Sequence, residues 1–486
     1  MEDSLTTITT AAIIGAGLAG CECALRLARA GVRVTLFEMK PAAFSPAHSN
    51  PDLGELVCSN SLRSDDIASG VGLLKQEMRE LGSIVMEAAD ATRVPAGKAL
   101  AVDRDLFARH ITAVIEAEPG ITLERREVAS LDDPALASAD VVVVAAGPLA
   151  SAGLSDSLAA MVGGQLYFYD AIAPIIAAES IDLSIAFSGS RYGEPGEEGD
   201  YLNCPMNRDE YDAFYEALLA AEKVPSRDFE KELHFEGCMP IEALAERGPR
   251  TLVFGPFKPV GFTDPRTGTR PYAIIQLRAE NRNKTAFNIV GCQTKLKYAE
   301  QERVFRMIPG LAGAEFVRHG SVHRNTYVNA PRVLADDLSL RADKRVFLAG
   351  QITGVEGYVE SAACGMWLGM VLAARIQGRE LPTPPPQTAL GALLMHLRTP
   401  VKNFQPSNAN FGLMPELGLK VKKRERKPLY SARAREHFVR WLAEAGVTPV
   451  IEPLLPTAPD AADATGAIDT TGATGAAREE TAPTEA

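Results

Sequence analysis

The first clear pattern along the chain is an apolar run at residues 9 to 14 that stops at Gly15 and gives way to helical spacing. It predicts a buried strand, then a helix over Cys21 to Ala30 ended by Gly31, then a second strand over Val32 to Phe37 ending on Glu38. The unbroken run Val141 to Val144 has the composition of a parallel strand covered on both faces, and it leads into Ala145-Ala146-Gly147-Pro148. From about residue 165 to 325 the pattern changes. Short β-like runs such as Leu252 to Phe257 and Tyr272 to Leu277 alternate with turns there. Gly193 to Gly199 reads as a loop and Arg208 to Lys223 as an amphipathic helix. Near Arg345 the first pattern returns: Arg345-Val-Phe-Leu-Ala-Gly350 is a strand running into a glycine turn, and Ser361 to Ile376 has helical spacing.

A length of 486 residues exceeds what one core usually holds, so two or three domains are expected. The longest apolar runs, Val141 to Ala146 and Ala173 to Ala178, are too short to span a bilayer, and the acidic, polar start of the chain is no secretory signal. A cytoplasmic protein without a membrane partner is expected. Seven scattered cysteines, with no C-x-x-C pair, make no disulfide framework, and seven histidines without cysteine or carboxylate clusters make a metal site unexpected.

Net charge is −12, yet its distribution changes what that implies. Arg398 to Arg440 carries eleven Lys or Arg against three Glu, and Thr457 to Ala486 carries six acidic residues against one Arg. A basic stretch beside an acidic, low-complexity tail is a footprint of a nucleic-acid surface; a solvated basic segment fits the charge equally well. After Gly378, Pro382 to Pro386 reads as a stiff linker. Residues 388 to 446 read as helical at both ends with a basic loop between, and the tail from Pro456 reads as disordered.

The first chemical motif is Gly15-x-Gly17-x-x-Gly20, placed after a strand and at the start of a helix, with Glu38 18 positions after Gly20. Each part has a task in dinucleotide binding. Gly15 turns the chain, and Gly17 admits the pyrophosphate to the helix N-terminus. Gly20 lets helix and strand pack, and Glu38 accepts from ribose hydroxyls. Gly147 and the Gly350-Gln351 turn are similar to later segments of large flavoproteins. FAD is therefore the expected cofactor, held by Gly15, Ala16, Gly17, Leu18, Ala19, Gly20, Glu38, Lys40, Gly147, Gly350 and Gln351. No second G-x-G-x-x-G is present, so any NAD(P)H visits transiently. The expected fold is α/β: a Rossmann-type FAD-binding domain in two segments (1–165 and 326–380) with an inserted α+β domain (166–325). A basic, largely helical C-terminal segment (381–455) and the tail (456–486) follow.

Further motifs carry a specific resemblance. Glu38-Met-Lys-Pro, Glu55-Leu-Val-Cys-Ser-Asn-Ser-Leu-Arg63, Tyr201-Leu-Asn-Cys-Pro-Met206, Phe235-Glu-Gly-Cys-Met-Pro-Ile-Glu242 and Gly350-Gln-Ile-Thr-Gly-Val-Glu-Gly-Tyr358 run in order along residues 10 to 445. Together they resemble the folate- and FAD-dependent tRNA (uracil-5-)-methyltransferases. The chain is more distantly similar to the flavoproteins that carboxymethylaminomethylate wobble uridine. The resemblance implies formation of 5-methyluridine in the T loop of tRNA. Methylenetetrahydrofolate supplies the carbon, with NAD(P)H as reductant.

That chemistry needs a thiolate to add at uracil C6, which makes C5 nucleophilic, and a base to remove the C5 proton afterwards. The resemblance assigns these tasks to two cysteines: Cys238 as the nucleophile and Cys58 as the proton-moving partner. A free thiol has a pKa of about 8.5, so the attacking one needs a cationic neighbour, and His234 and Arg247 are nearest in sequence to Cys238. His323 is assigned to stacking on the folate, with a structural histidine as the other reading. Cys21, Cys23, Cys204, Cys292 and Cys364 read as structural. Lys420, Lys422, Lys423, Arg424, Arg426 and Lys427 are the candidate RNA contacts. Two other functions remain at this point: the same chemistry on ribosomal RNA, or a small-molecule flavin oxidoreductase without RNA binding.

Overall fold

The computed structural model describes residues 8–164, 166–191, 199–225, 239–418 and 421–451. Five parallel strands form the first sheet, in the order Val346–Leu348, Val141–Val144, Thr10–Ile14, Arg33–Phe37, Ile121–Glu124. The helix Leu18–Arg29 packs against the helix Tyr358–Ile376, so the two ends of this fold are joined through helices as well as strands. Both helices begin three residues earlier than expected, because each starts directly after a glycine, Gly17 and Gly357, where no side chain marks the boundary.

The second sheet has six strands, all paired antiparallel: Phe187–Gly189, Tyr201–Met206, Ala273–Ala279, Ala286–Ile289, Ile175–Ala177 and Phe316–Arg318. Its core draws only on residues between Ile176 and Phe316, whereas the first core combines residues from Ile8 to Val162 with residues from Tyr327 to Val447. The antiparallel pair Leu166–Ile172 and Ser321–Tyr327 carries the chain out of the first body and back.

Three expectations are corrected here. The Leu252 to Phe257 run is not a strand: Thr251–Phe254 is a helical turn, burying Leu252 and exposing Phe254. A short apolar run cannot by itself separate the two periods. The basic residues from Lys423 onward form the first turns of a helix, Lys423–Glu444, rather than a loop. That helix is no solvated appendage, because Ala434, Phe438 and Trp441 are buried in the first core and the Trp441 indole donates to Pro382 O at 2.8 Å. Arg435, one of the eleven cations of that stretch, is 1% exposed and makes a two-pronged bond to both oxygens of Glu80 at 2.7 and 2.8 Å. Lastly, Tyr358–Ile376 is long and apolar enough to cross a membrane by composition, which the search for unbroken apolar runs missed. It lies largely buried in the first core. The cysteines read as structural (Cys21, Cys23, Cys204, Cys292 and Cys364) are all buried. The Gly193 to Gly199 loop, apart from its last residue, and the acidic tail lie outside the described residues.

Candidate active site

The parallel register brings Ile14, Phe37, Val144 and Leu348 to one edge of the first sheet. The segments that follow those strand ends converge on a single cleft, placed where strand order switches direction. Every expected cofactor residue lines this cleft except Gly20. Gly20 has the packing role instead: a Cβ there would overlap the Gly15 carbonyl oxygen. Gly15 takes φ +101 and lies against Ala145 and Ala146, so the turn requires glycine. A Cβ on Gly17 would meet nothing within 4 Å, which leaves open space at the N-terminus of Leu18–Arg29, and no side chain caps that helix. Uncapped N–H groups facing open space are what a pyrophosphate needs.

Glu38 receives the backbone N–H groups of Ala16 and Lys40, each at 3.0 Å. Each carboxylate oxygen keeps a second lone pair for a ribose hydroxyl. Lys40 lines the cleft, but its buried ammonium is spent on Glu55 at 3.1 Å and on the carbonyls of Asn50 and Asp52 at 2.9 and 2.6 Å. It braces the loop that leads to Cys58. Arg126, which the sequence did not single out, lines the cleft with its guanidinium 4.6 Å from the Phe37 ring centre.

The cleft opens into a second cavity, and Val57, Pro148, Leu149, Gln351 and Tyr358 belong to both. Cys58, Asp170, Arg278, His323 and Glu356 line the second cavity. Cys58 is held from several directions. The Tyr358 hydroxyl is 2.7 Å from its N–H and 2.9 Å from its Sγ. Arg104 and Arg318 both donate to the Val57 carbonyl, at 3.2 and 3.1 Å, and Arg278 donates to Ser59 Oγ at 2.7 Å and Asn60 Oδ1 at 2.8 Å. Arg104 is fixed in turn by Glu280, at 2.8 Å. Arg278, Glu280 and Arg318 come from the second body, so the Cys58 loop is clamped by both. Burial, reinforced by Asp170, pushes the Cys58 thiol up to about 12, against the Tyr358 hydrogen bond and Arg104. Burial, with Arg318 and the His48 imidazole beside it, holds His323 down to about 4, and its Nε2 is 2.9 Å from Ser321 Oγ.

A dinucleotide cleft that opens onto a clamped cysteine narrows the field to enzymes that combine flavin and thiol, and comparison with known proteins names them. Residues 10–380 match the family model described as glucose inhibited division protein A. The chain is 99% identical over 458 residues to the methylenetetrahydrofolate--tRNA-(uracil-5-)-methyltransferase TrmFO of Nitratidesulfovibrio vulgaris, covering 94% of this chain and 97% of that protein. It is 71% identical over 440 residues to the TrmFO of Oleidesulfovibrio alaskensis, covering 90% and 98%. The chain belongs to the methylenetetrahydrofolate--tRNA-(uracil-5-)-methyltransferase family. Among solved structures, Aquifex aeolicus GidA in its form I crystal is similar with a TM-score of 0.64 and 18% identity, over 91% of this chain and 76% of that one. At that identity the likeness establishes the shared fold.

FAD is the cofactor of this methyltransferase family, and the uncapped helix end and open space at Gly17 fit it. Of the two cysteines expected from the resemblance, Cys58 stands in the cavity next to the cleft. Cys238 and His234 lie outside the described residues, as do Lys420 and the Lys423 side chain. Lys422, Arg424, Arg426 and Lys427 are exposed at the start of Lys423–Glu444. Among the described residues no group of three His, Cys, Asp or Glu could hold a metal ion. The sequence reading missed Tyr358, Arg104, Arg278 and Glu356, although Tyr358 and Glu356 fall inside a quoted motif. Their roles depend on who faces Cys58, which spacing does not encode.

Proposed function

We propose that this chain is a cytoplasmic, FAD-dependent enzyme that forms 5-methyluridine in the T loop of tRNA. Its carbon comes from methylenetetrahydrofolate and its reducing equivalents from NAD(P)H. The observation that carries this reading is the opening of the dinucleotide cleft onto Cys58. When bound, FAD supplies the redox chemistry and the carrier function that link folate to the base. The rest falls to side chains of the chain itself.

Cys58 rests as a neutral thiol, which makes it a poor attacking group and leaves the C6 addition to Cys238. Ile241, three residues after Cys238 in sequence, reaches the cavity: its N–H donates to Gln293 O at 2.7 Å, and Gln293 is part of the cavity wall. Cys58 then serves the later step. As the C6–S bond breaks, the Cys58 proton passes to the departing Cys238 sulfur and the C5 proton takes its place on the Cys58 sulfur, which the Tyr358 hydroxyl holds in position at 2.9 Å. His323, kept neutral by its surroundings, offers a flat uncharged ring to the folate. Its bond to Ser321 fixes the ring plane.

RNA binding falls to the start of Lys423–Glu444. Four exposed cations stand there, where the helix dipole disfavours positive charge by about 0.3–1 kcal/mol each. A merely solvated face would gain from having them at the other end, and phosphate contact supplies the reason for this placement. Incubating the purified chain with methylenetetrahydrofolate, NAD(P)H and unmodified tRNA should yield 5-methyluridine. Flavin reduction without any methylated nucleoside would instead indicate a small-molecule oxidoreductase.

A further inference from the structure

The second cavity holds an acidic group that the two-thiol scheme leaves unused. Glu356 is 5% exposed and lies in the cavity wall with Cys58 and Tyr358. It occupies the short link between Gly354, at φ +98, and Gly357, at φ +113, just before the helix Tyr358–Ile376 begins. Its backbone N–H is bonded to Ser407 O at 2.9 Å, and the Gln351 amide donates to its Oε2 at 2.7 Å. The link is therefore tied down on both sides, and the side chain is aimed by a neutral partner.

Two acidic groups and one cation act on it. Burial, helped by the acidic neighbours Asp170 on the strand Leu166–Ile172 and Glu360 on the following helix, drives the Glu356 carboxyl well above the usual carboxylate range. Arg63 opposes this, but its guanidinium is committed to Glu360, whose Oε1 also receives the Ala409 N–H at 2.7 Å. The remaining titratable groups facing the cavity are Cys58, Tyr358 and His323, with Arg278 bonded to Ser59 and Asn60. With Oε2 receiving the Gln351 amide, the proton belongs on Oε1.

We propose that Glu356 is a catalytic residue that works as a neutral carboxylic acid, donating a hydrogen bond to a carbonyl oxygen of the uracil. This rests on the methyltransferase reading above. Addition of a thiolate at C6 moves an electron pair through C5 onto the C4 carbonyl oxygen. A carboxylic acid facing that oxygen stabilises the enolate, whereas a carboxylate would repel it. No bond to carbon forms or breaks at Glu356, and its proton stays on the carboxyl throughout.

The test uses the FAD-loaded full chain and tRNA carrying 5-fluorouridine at the target position, which traps the covalent thiol adduct. Glu356→Ala should slow adduct formation by about 100-fold, the usual effect of removing one donor to a developing oxyanion, with flavin content and tRNA affinity unchanged. Glu356→Gln keeps a neutral donor and should form the adduct within a few-fold of the parent rate. Its rate should also stay flat at alkaline pH, where the parent slows as the carboxyl ionises. A Gln variant as slow as the Ala variant means a carboxylate is required and overturns the proposal, as does an Ala variant at parent speed. Should Glu356→Ala lose flavin, the rate of the isosteric Gln variant against pH still decides: an alkaline decline that persists in it overturns the assignment. A parent chain that forms neither adduct nor 5-methyluridine overturns the methyltransferase reading itself, and this proposal with it.

Discussion

The two cavities that meet at Gln351 and Tyr358 are made of different material. The first is built mostly from backbone: a turn that only glycine can make at Gly15, an uncapped helix end at Gly17, and strand ends aligned by parallel register. The second is built from side chains brought in by segments far apart in the chain, with Tyr358 on Cys58, Arg318 on Val57 and Arg278 on Ser59. A backbone site depends on local geometry and tolerates distant change. A side-chain site depends on how two bodies pack. Cofactor retention and thiol chemistry in this enzyme should therefore be separable by mutation.

The largest separation should come from Gly17→Leu. A Cβ at this position meets nothing within 4 Å, so thermal stability of the flavin-free protein should stay within about 0.5 kcal/mol of the parent. The same side chain fills the pyrophosphate space, and the purified variant should be colourless. Yellow protein with a parent-like flavin spectrum would remove the pyrophosphate site from this cleft. Cys58→Ala probes the other cavity. Turnover should fall by about 10²–10⁴-fold, the range for losing a proton-transfer group, while flavin content and the 5-fluorouridine adduct persist. Loss of the adduct in this variant would make Cys58 the nucleophile.

Arg435→Met tests a region remote from both cavities. It leaves Glu80 as a buried charge without its guanidinium, and chemical denaturation should show a loss of about 3–5 kcal/mol. Below its unfolding temperature the variant should retain flavin and methylate normally. If it loses either, the C-terminal helix supports the site as well as the core. Neutralising Lys422, Arg424, Arg426 and Lys427 should leave both cavities untouched. It should reduce the slope of log K against log salt for tRNA by about 0.7–0.9 for every phosphate the protein no longer neutralises. An unchanged slope would return these cations to the status of a solvated helix end.

A further effect is a pH dependence of stability beside the clamped loop. Burial raises Glu77, which receives the Ala389 and Leu390 N–H groups at 2.9 and 2.8 Å, from 4.5 to about 7. The folded state therefore binds a proton that the unfolded state has lost between those values, and the melting temperature contribution falls as pH rises across that window. Lys75, whose ammonium donates to Leu62 O at 2.9 Å, is pushed by burial from 10.5 down to about 7. Its contribution has the opposite slope, rising from about pH 7 toward 10.5. Glu77→Gln should flatten the acid side of a melting-temperature profile alone, and Lys75→Met the alkaline side alone.

By itself the sequence determined the parts whose logic is short in range. A glycine turn between a strand and a helix, with an acid at the end of the next strand, is a local constraint of sterics and helix electrostatics. Gly15, Gly17, Gly20 and Glu38 could therefore be placed around one turn before any fold was known. The valine run and the return of the pattern at Arg345 fixed the parallel strands for the same reason, since burial on both faces leaves its mark on every residue. What only the tertiary structure decided was partnership. Lys40 carries the right charge for a phosphate but spends it on Glu55, and Arg435 sits in a basic stretch but closes a buried pair with Glu80. Cys58 owes its protonation to burial and to Asp170, a residue more than a hundred positions away. Charge and reactivity are set by what desolvates a group and what faces it across space, and neither is written in its neighbours along the chain.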